Sequence, residues 1–192
     1  MVETDVQSIV ETESLLLHIC CAPCATEVIH RLENNYDIIG FFYNPNIFPE
    51  KEYQKRLIEV QRLSALWHLP LDVGEYDHDR FLEMVKGLEK EPEGGKRCQV
   101  CYRMRLEQTA MKAKGNGCQV IATTLTISPH KRAAVINPIG REVCSQYGLR
   151  FLEGDWKKRD GFKHSVEISK GLGLYRQDYC GCEFSLRERQ HP

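Results

Sequence analysis

The sequence predicts an α/β fold, a single domain with a mainly parallel sheet of about five strands flanked by helices. Short apolar runs alternate with segments of helical period along nearly the whole chain. No linker, internal repeat or low-complexity tract interrupts that alternation. The chain of 192 residues, 42% of them hydrophobic, is long enough to bury one sizeable core without covalent staples.

Taken in order, LLLHI (15–19) reads as a short buried strand, because a continuous apolar run suits a strand covered on both faces. CATEVIHRLEN follows as a helix starting near Cys24, with Pro23 suited to its first turn. YDIIGFFY (36–43) is a second strand, and the turn-rich NPNIFPEKEY leads into a long helix ending near Trp67. LDVGEY (71–76) is a third strand and DRFLEMVKGL a helix. The breakers of EPEGGKR precede a helix over CQVCYRMRLEQTAMKAKG. QVIATTL (119–125), a helix around HKRAAVINPIGREVCSQYG, the strand LRFLEGD (149–155) and the helix FKHSVEISKGL complete the pattern. The polar, acidic start makes residues 1–13 a flexible segment, 14–186 the folded domain and 187–192 a tail.

Seven of the nine cysteines fall in three clusters: Cys20, Cys21 and Cys24 in HICCAPC, Cys98 and Cys101 in KRCQVCYR, Cys180 and Cys182 in YCGCEFS. Ligands of a metal or cluster are recruited in this way, as short chelating segments from distant parts of a fold. A disulfide framework is the competing reading, but such scaffolds are small, secreted and poor in core. Here no signal-peptide pattern and no membrane-spanning stretch is present, so the expected location is the cytoplasm, where thiols stay reduced. Ligands of open parallel sheets bind beyond the carboxyl ends of the strands, and the first cluster directly follows LLLHI.

Cys98 and Cys101 are one helical turn apart near a helix start, whose unpaired amides favour thiolate charge. Adjacent Cys20 and Cys21 suit different corners of a polynuclear cluster better than one ion, and Cys24 can replace either. Four thiolates serve zinc or iron and sulfide equally by count, so a zinc-stapled RNA-binding module stays open beside a redox enzyme. A thiol-disulfide oxidoreductase stays open too, since Cys180 and Cys182, separated by one glycine, suit a strained and easily reduced disulfide. Cys118 and Cys144 read as core fillers and His18 as a hydrogen-bonded core histidine. Asp155, at a strand end, is a candidate ligand or proton donor. The formal net charge of −1 excludes bulk attraction to nucleic acid, but Lys96, Arg97, Lys157, Lys158 and Arg176 form a candidate local rim for phosphates.

Six ordered motifs, HICCAPC, FYNPNI, RCQVCY, TTLTISPHK, GDWKKRDGF and GLYRQDYCGCEFS, resemble the epoxyqueuosine reductase family of the QueH type over residues 14 to 186. The resemblance implies a nucleotide-hydrolase-like (Rossmann-like) iron-sulfur enzyme that removes the epoxide oxygen of epoxyqueuosine at the tRNA wobble position, the last step of queuosine biosynthesis. It implies Cys20, Cys21, Cys98 and Cys101 as ligands of a [4Fe-4S] cluster, and Cys180 and Cys182 as a redox-active pair. It also implies a mononuclear iron, for which Cys24, Asp155 or the CGC thiols are candidates, and an external electron donor. No cobalamin signature is present, and CCAP stands where ATP-using relatives carry a phosphate-binding glycine loop, so neither cobalamin nor ATP is expected.

Overall fold

The computed structural model describes residues 12–190. Most of the expected N-terminal segment, and the last two residues of the expected tail, lie outside them. Five strands, β1 (Glu13–His18), β2 (Tyr36–Phe42), β3 (Leu71–Val73), β4 (Val120–Thr123) and β5 (Arg150–Phe151), form one sheet in the order β3-β2-β1-β4-β5. Every neighbouring pair is parallel.

The central strand explains the layering. Leu15, Leu16 and Leu17 are all fully buried, and alternation along the strand sends them to opposite faces. Leu16 and Ile121 join the core beneath α4 (Lys96–Gly115) and α5 (Ala133–Tyr147), with Met104, Leu106, Ile136 and Val143. Leu15, Leu17, Val120 and Ala122 join the opposite core beneath α1 (Ala22–Leu32) and α2 (Glu50–Leu66), with Val28, Ile29, Val60 and Leu63. The remaining helices are α3 (His78–Met84), α6 (Gly161–Gly171) and α7 (Glu183–Gln190).

Three strands are shorter than the sequence suggests. The chain leaves the sheet after Val73, Thr123 and Phe151, because the edge strands β3 and β5 offer partners to only a few residues. Thr124–Ile127 winds instead into a 3-10 turn, started by the Thr123 hydroxyl accepting from the Leu125 amide at 3.2 Å. Helix α7 crosses the boundary placed at residue 186 and occupies most of the expected tail. Among the described residues no helix is long and apolar enough to cross a membrane.

Candidate active site

The sheet order reverses around β1, whose neighbours are β2 and β4, and the loops after these strands diverge above their carboxyl ends. A cavity of about 470 Å³ opens there, lined by Cys20, Cys24, Asn44, Asn46, Arg56, Arg105, Lys131, Arg176, Gln177 and Cys180 among others.

Its floor is the β1–α1 loop. Pro23 lies in the first turn of α1, and Cys21 caps the helix in extended conformation. This geometry gathers the sulfurs of Cys20, Cys21 and Cys24 within 4.8 Å of one another. The Cys20 amide donates to Thr124 Oγ1 at 3.1 Å, and that hydroxyl returns a hydrogen bond to Cys20 Sγ at 3.2 Å. Hydrogen bonds from Cys21 and Cys24 hold the Cys20 thiol well below the usual range, whereas burial pushes Cys21 up to about 12. The three sulfurs are thus close enough to share protons and to offer one compact donor group.

Helix α4 supplies the second wall. Cys98, Cys101 and Arg105 follow one another at helical spacing on its inward face, all buried. The Gly94 amide donates to Cys98 Sγ at 3.2 Å, and Arg105 Nη1 lies 4.0 Å from Cys101 Sγ. Burial raises Cys98 to about 11 and Cys101 to about 12, and both thiols feel the charges of Cys180 and Cys182.

The CGC loop closes the third side. Gly181 has φ +130, a conformation L side chains rarely adopt, and a Cβ there would stand 3.0 Å from Arg56 Nη1. Arg56, buried and paired with Glu52 at 2.7 Å, donates to the Cys180 carbonyl at 3.1 Å. The Phe48 amide clamps the Gly181 carbonyl at 2.8 Å. Cys180 faces the cavity, whereas Cys182 turns inward and accepts from the Ser185 amide at 3.4 Å, in the manner of a helix cap.

Behind the floor, His18 Nδ1 meets Thr123 Oγ1 at 2.8 Å, and Arg105 Nε points at His18 Nε2 at 3.3 Å. His18 Nε2 also lies 3.2 Å from the Tyr43 carbonyl, so both ring nitrogens have polar partners. Burial first, and Arg105 second, lower its pKa to about 3. Arg105 Nη2 donates to the Asn44 side-chain oxygen, and Asn44 Nδ2 donates to the Ile19 carbonyl at 2.9 Å.

Placement of the expected site residues divides. Cys20, Cys24 and Cys180 line this cavity and Cys21 lies within 4.8 Å of the first two; Cys98, Cys101 and Cys182 are buried beside it and do not join that group among the described residues, while Cys118 and Cys144 are buried in the core. Asp155 lies away from them. Its carboxylate is held by Lys157 at 2.5 Å, and it borders a separate hollow with Glu27, Arg31 and Lys158. Of the expected rim cations, Lys96 and Lys158 are exposed and Arg176 lines the cavity over the Phe162 ring. Arg97 corrects the expectation: it is 1% exposed, paired with Glu188 at 3.0 Å and stacked on Phe184, a scaffold residue rather than a rim cation. Lys157 is likewise directed inward, to Asp155 and the Lys131 carbonyl. Arg56 and Lys131 went unread in the sequence, and Arg105, which as a neighbour of the second cysteine pair would be expected at a basic rim, is instead 3% exposed. Arg56 and Arg105 sit inside ordinary helical patterns, and Lys131 ends the TTLTISPHK motif where it runs into the segment expected to be helical.

Together, the parallel sheet and the thiol-lined crevice at its switch point define an α/β protein able to offer several sulfur donors to a soft metal. Solved structures share the fold. The tRNA thiolase NcsA from Methanococcus maripaludis, described with its [4Fe-4S] cluster, aligns with TM-score 0.54 at 12% identity over 94% of this chain and 67% of its own. A predicted subunit of tRNA methyltransferase from Methanocaldococcus jannaschii aligns with TM-score 0.51 at 12% identity over 83% of this chain and 88% of its own. At such identities the likeness concerns the fold alone.

Sequence comparison is more specific. The model of the family described as epoxyqueuosine reductase QueH matches residues 15–188. Relatives of that name include those of Acinetobacter baylyi, 42% identical over 92% of this chain and 82% of the relative, and Thermotoga maritima, 38% identical over 92% of each. The relative from Streptococcus pyogenes is 39% identical over 91% of this chain and 71% of its own length. The chain belongs to the epoxyqueuosine reductase QueH family.

Proposed function

We propose that the cavity is the active site of an epoxyqueuosine reductase, which removes the epoxide oxygen of epoxyqueuosine at the wobble position of tRNA. The observation that carries the reading is the meeting of cysteines from the first and last clusters with three buried cations on one crevice, in a chain matched by the family along nearly all its length.

The donor set fits an iron-sulfur cluster. The thiols are concentrated, shielded from bulk water and faced by Arg105 and Lys131, whose charges offset those of thiolates. Cys20, Cys21, Cys98 and Cys101 are the proposed cluster ligands. Cys24, packed against Cys20 and Cys21, competes for the same role or joins a second, mononuclear iron, whereas Asp155 reaches such an ion only by leaving Lys157. When bound, a cluster of this kind passes electrons singly, received from an external donor.

Converting an epoxide to an alkene and water takes two electrons and two protons. Oxidation of the Cys180–Cys182 dithiol to a disulfide releases two of each, so this pair suffices for the balance of one turnover and an external reductant restores it. Asn46 Oδ1 and Gln177 Oε1 are buried acceptors on the cavity wall without a partner among the described residues, as expected where a base with N–H groups binds. The location that fits action on tRNA is the cytoplasm.

Anaerobic purification with iron, sulfide and zinc analysis, followed by turnover of tRNA bearing epoxyqueuosine, tests the reading. Expected are broad absorbance at about 400 nm, iron with sulfide, and conversion to queuosine. Colourless protein holding zinc and inert toward that tRNA would overturn it. Cys180→Ser is expected to keep the absorbance and abolish multiple turnover; full activity would remove the dithiol from the mechanism.

A further inference from the structure

The loop that follows β2 is hydrogen-bonded on both sides of a single exception. Asn44 Nδ2 donates to the Ile19 carbonyl at 2.9 Å, next to Cys20, and the Asn44 side-chain oxygen accepts from Arg105. His78 Nδ1 donates to the Pro45 carbonyl at 2.7 Å, and the Tyr76 hydroxyl donates to the Ile47 carbonyl at 2.7 Å. The Ile47 amide turns back to the Asn44 carbonyl at 3.2 Å, and the Phe48 amide donates to the Gly181 carbonyl of the CGC loop at 2.8 Å. Asn46 stands between these contacts. It is 1% exposed and lines the cavity, but its side-chain oxygen has no hydrogen-bond partner among the described residues. Gln177, shortly before Cys180, contributes a second such oxygen to the same wall.

A buried acceptor without a donor costs free energy, and a loop pinned on both sides of Asn46 does not swing its amide out to water. The guanidinium groups of the cavity are engaged elsewhere: Arg105 by Asn44 and His18, Arg56 by Glu52 and the Cys180 carbonyl, Arg176 by the Ser165 and Ser169 hydroxyls. A ligand that brings its own donors completes such a wall. The epoxide of the substrate has to reach the thiols, and both oxygens belong to segments tied to them, one through Asn44 to Ile19 and the other through the CGC loop. The part of the substrate alongside them is therefore the ring that carries the epoxide, with the amine that joins it to the base, and not the edge of the base. Ring hydroxyls and the amine are hydrogen-bond donors, whereas an epoxide oxygen only accepts.

Resting on the reductase reading above, we infer that Asn46 and Gln177 are specificity-determining residues, whose amide oxygens accept hydrogen bonds from the hydroxyls and amine of the epoxide-bearing ring. They hold that ring against the thiols, and a base without it leaves both buried acceptors unpaired, the condition under which a polar pocket discriminates most strongly.

Asn46→Leu, Asn46→Asp and Gln177→Leu, prepared anaerobically beside the parent enzyme, test this through iron and sulfide content and through affinity for two tRNAs that differ only at the wobble position, one bearing epoxyqueuosine and the other guanine. Both leucine variants are expected to bind the epoxyqueuosine tRNA about 10- to 100-fold more weakly, with metal content and affinity for the guanine tRNA unchanged. Asn46→Asp keeps an acceptor of the same shape and is expected to bind the epoxyqueuosine tRNA as the parent does, which decides the matter for position 46 should Asn46→Leu fail to fold. An equal loss on both tRNAs would overturn the inference in favour of contacts to the base edge or backbone. Asn46→Asp as weak as Asn46→Leu, unchanged affinities throughout, or iron and sulfide missing from all three variants would overturn it as well. Failure of the parent enzyme to reduce the epoxyqueuosine tRNA would instead overturn the reductase reading itself.

Discussion

Arg105 joins more of the site than any other single side chain, and its hydrogen bonds define what removing it does. It is 3% exposed, and its guanidinium reaches Asn44, His18 and the sulfur of Cys101. Arg105→Met has similar length but leaves the Asn44 oxygen buried without its donor, while His18 Nε2 keeps the Tyr43 carbonyl. An unsatisfied buried acceptor costs roughly 1–3 kcal/mol, so the denaturation midpoint is expected to fall measurably with the protein free of metal. Arg105→Lys is expected to recover little, since one ammonium does not reproduce a planar fork that addresses two acceptors at once. A midpoint equal to the parent's in either variant would mean that the network does not support the fold. Sequence reading finds His18 as a bonded core histidine but not its partner, 87 residues away, because buried arginine and solvated arginine look alike within a helical pattern.

At the scale of elements, the seating of α5 on the sheet depends on a close approach. A Cβ on Gly140 would stand 2.5 Å from the Phe151 ring of β5, too near for any real contact. Gly140→Ala is expected to destabilise by about 1–3 kcal/mol through overpacking. Gly115, at the end of α4, has open space around its Cβ position and no positive φ. Gly115→Ala is therefore expected to be neutral or to stabilise by up to about 1 kcal/mol. The urea midpoint of Gly140→Ala should fall while that of Gly115→Ala holds or rises, and an equal fall in both would refute the packing argument. Central elements were the most legible: Leu15–Leu17 is buried on both faces and announces itself as an unbroken apolar run. Edge strands and α7 were less so. Pairing to a single neighbour shortens β3 and β5 without trace in their composition, and EFSLRERQ buries only Phe184 and Ser185, too little for a visible apolar stripe.

For the whole molecule, the question is how a protein of net charge −1 holds a polyanion. Cysteine spacing made the thiol crevice legible, but charge composition did not separate cations facing outward from those turned into the scaffold. The structure makes that separation. Lys158 has 76% of its side chain exposed, Lys96 is exposed at the start of α4, and Arg176 stands in the cavity wall, whereas Arg97 is enclosed by Glu188, Phe184 and the Glu89 carbonyl. Removing a cation that pairs with a phosphate should reduce the slope of log affinity against log salt by about 1. Neutralising Lys96, Lys158 and Arg176 is thus expected to weaken tRNA binding at low salt and to flatten its salt dependence, with the iron content unchanged. Arg97→Ala is expected to leave the slope intact and to lower the denaturation midpoint, because it strands Glu188 and uncovers Phe184 rather than releasing a phosphate. Filter-binding titrations at several salt concentrations separate the two cases. An unchanged slope in the triple variant would place the RNA on another face, and a flattened slope in Arg97→Ala would mean that the enclosed guanidinium swings outward to meet it.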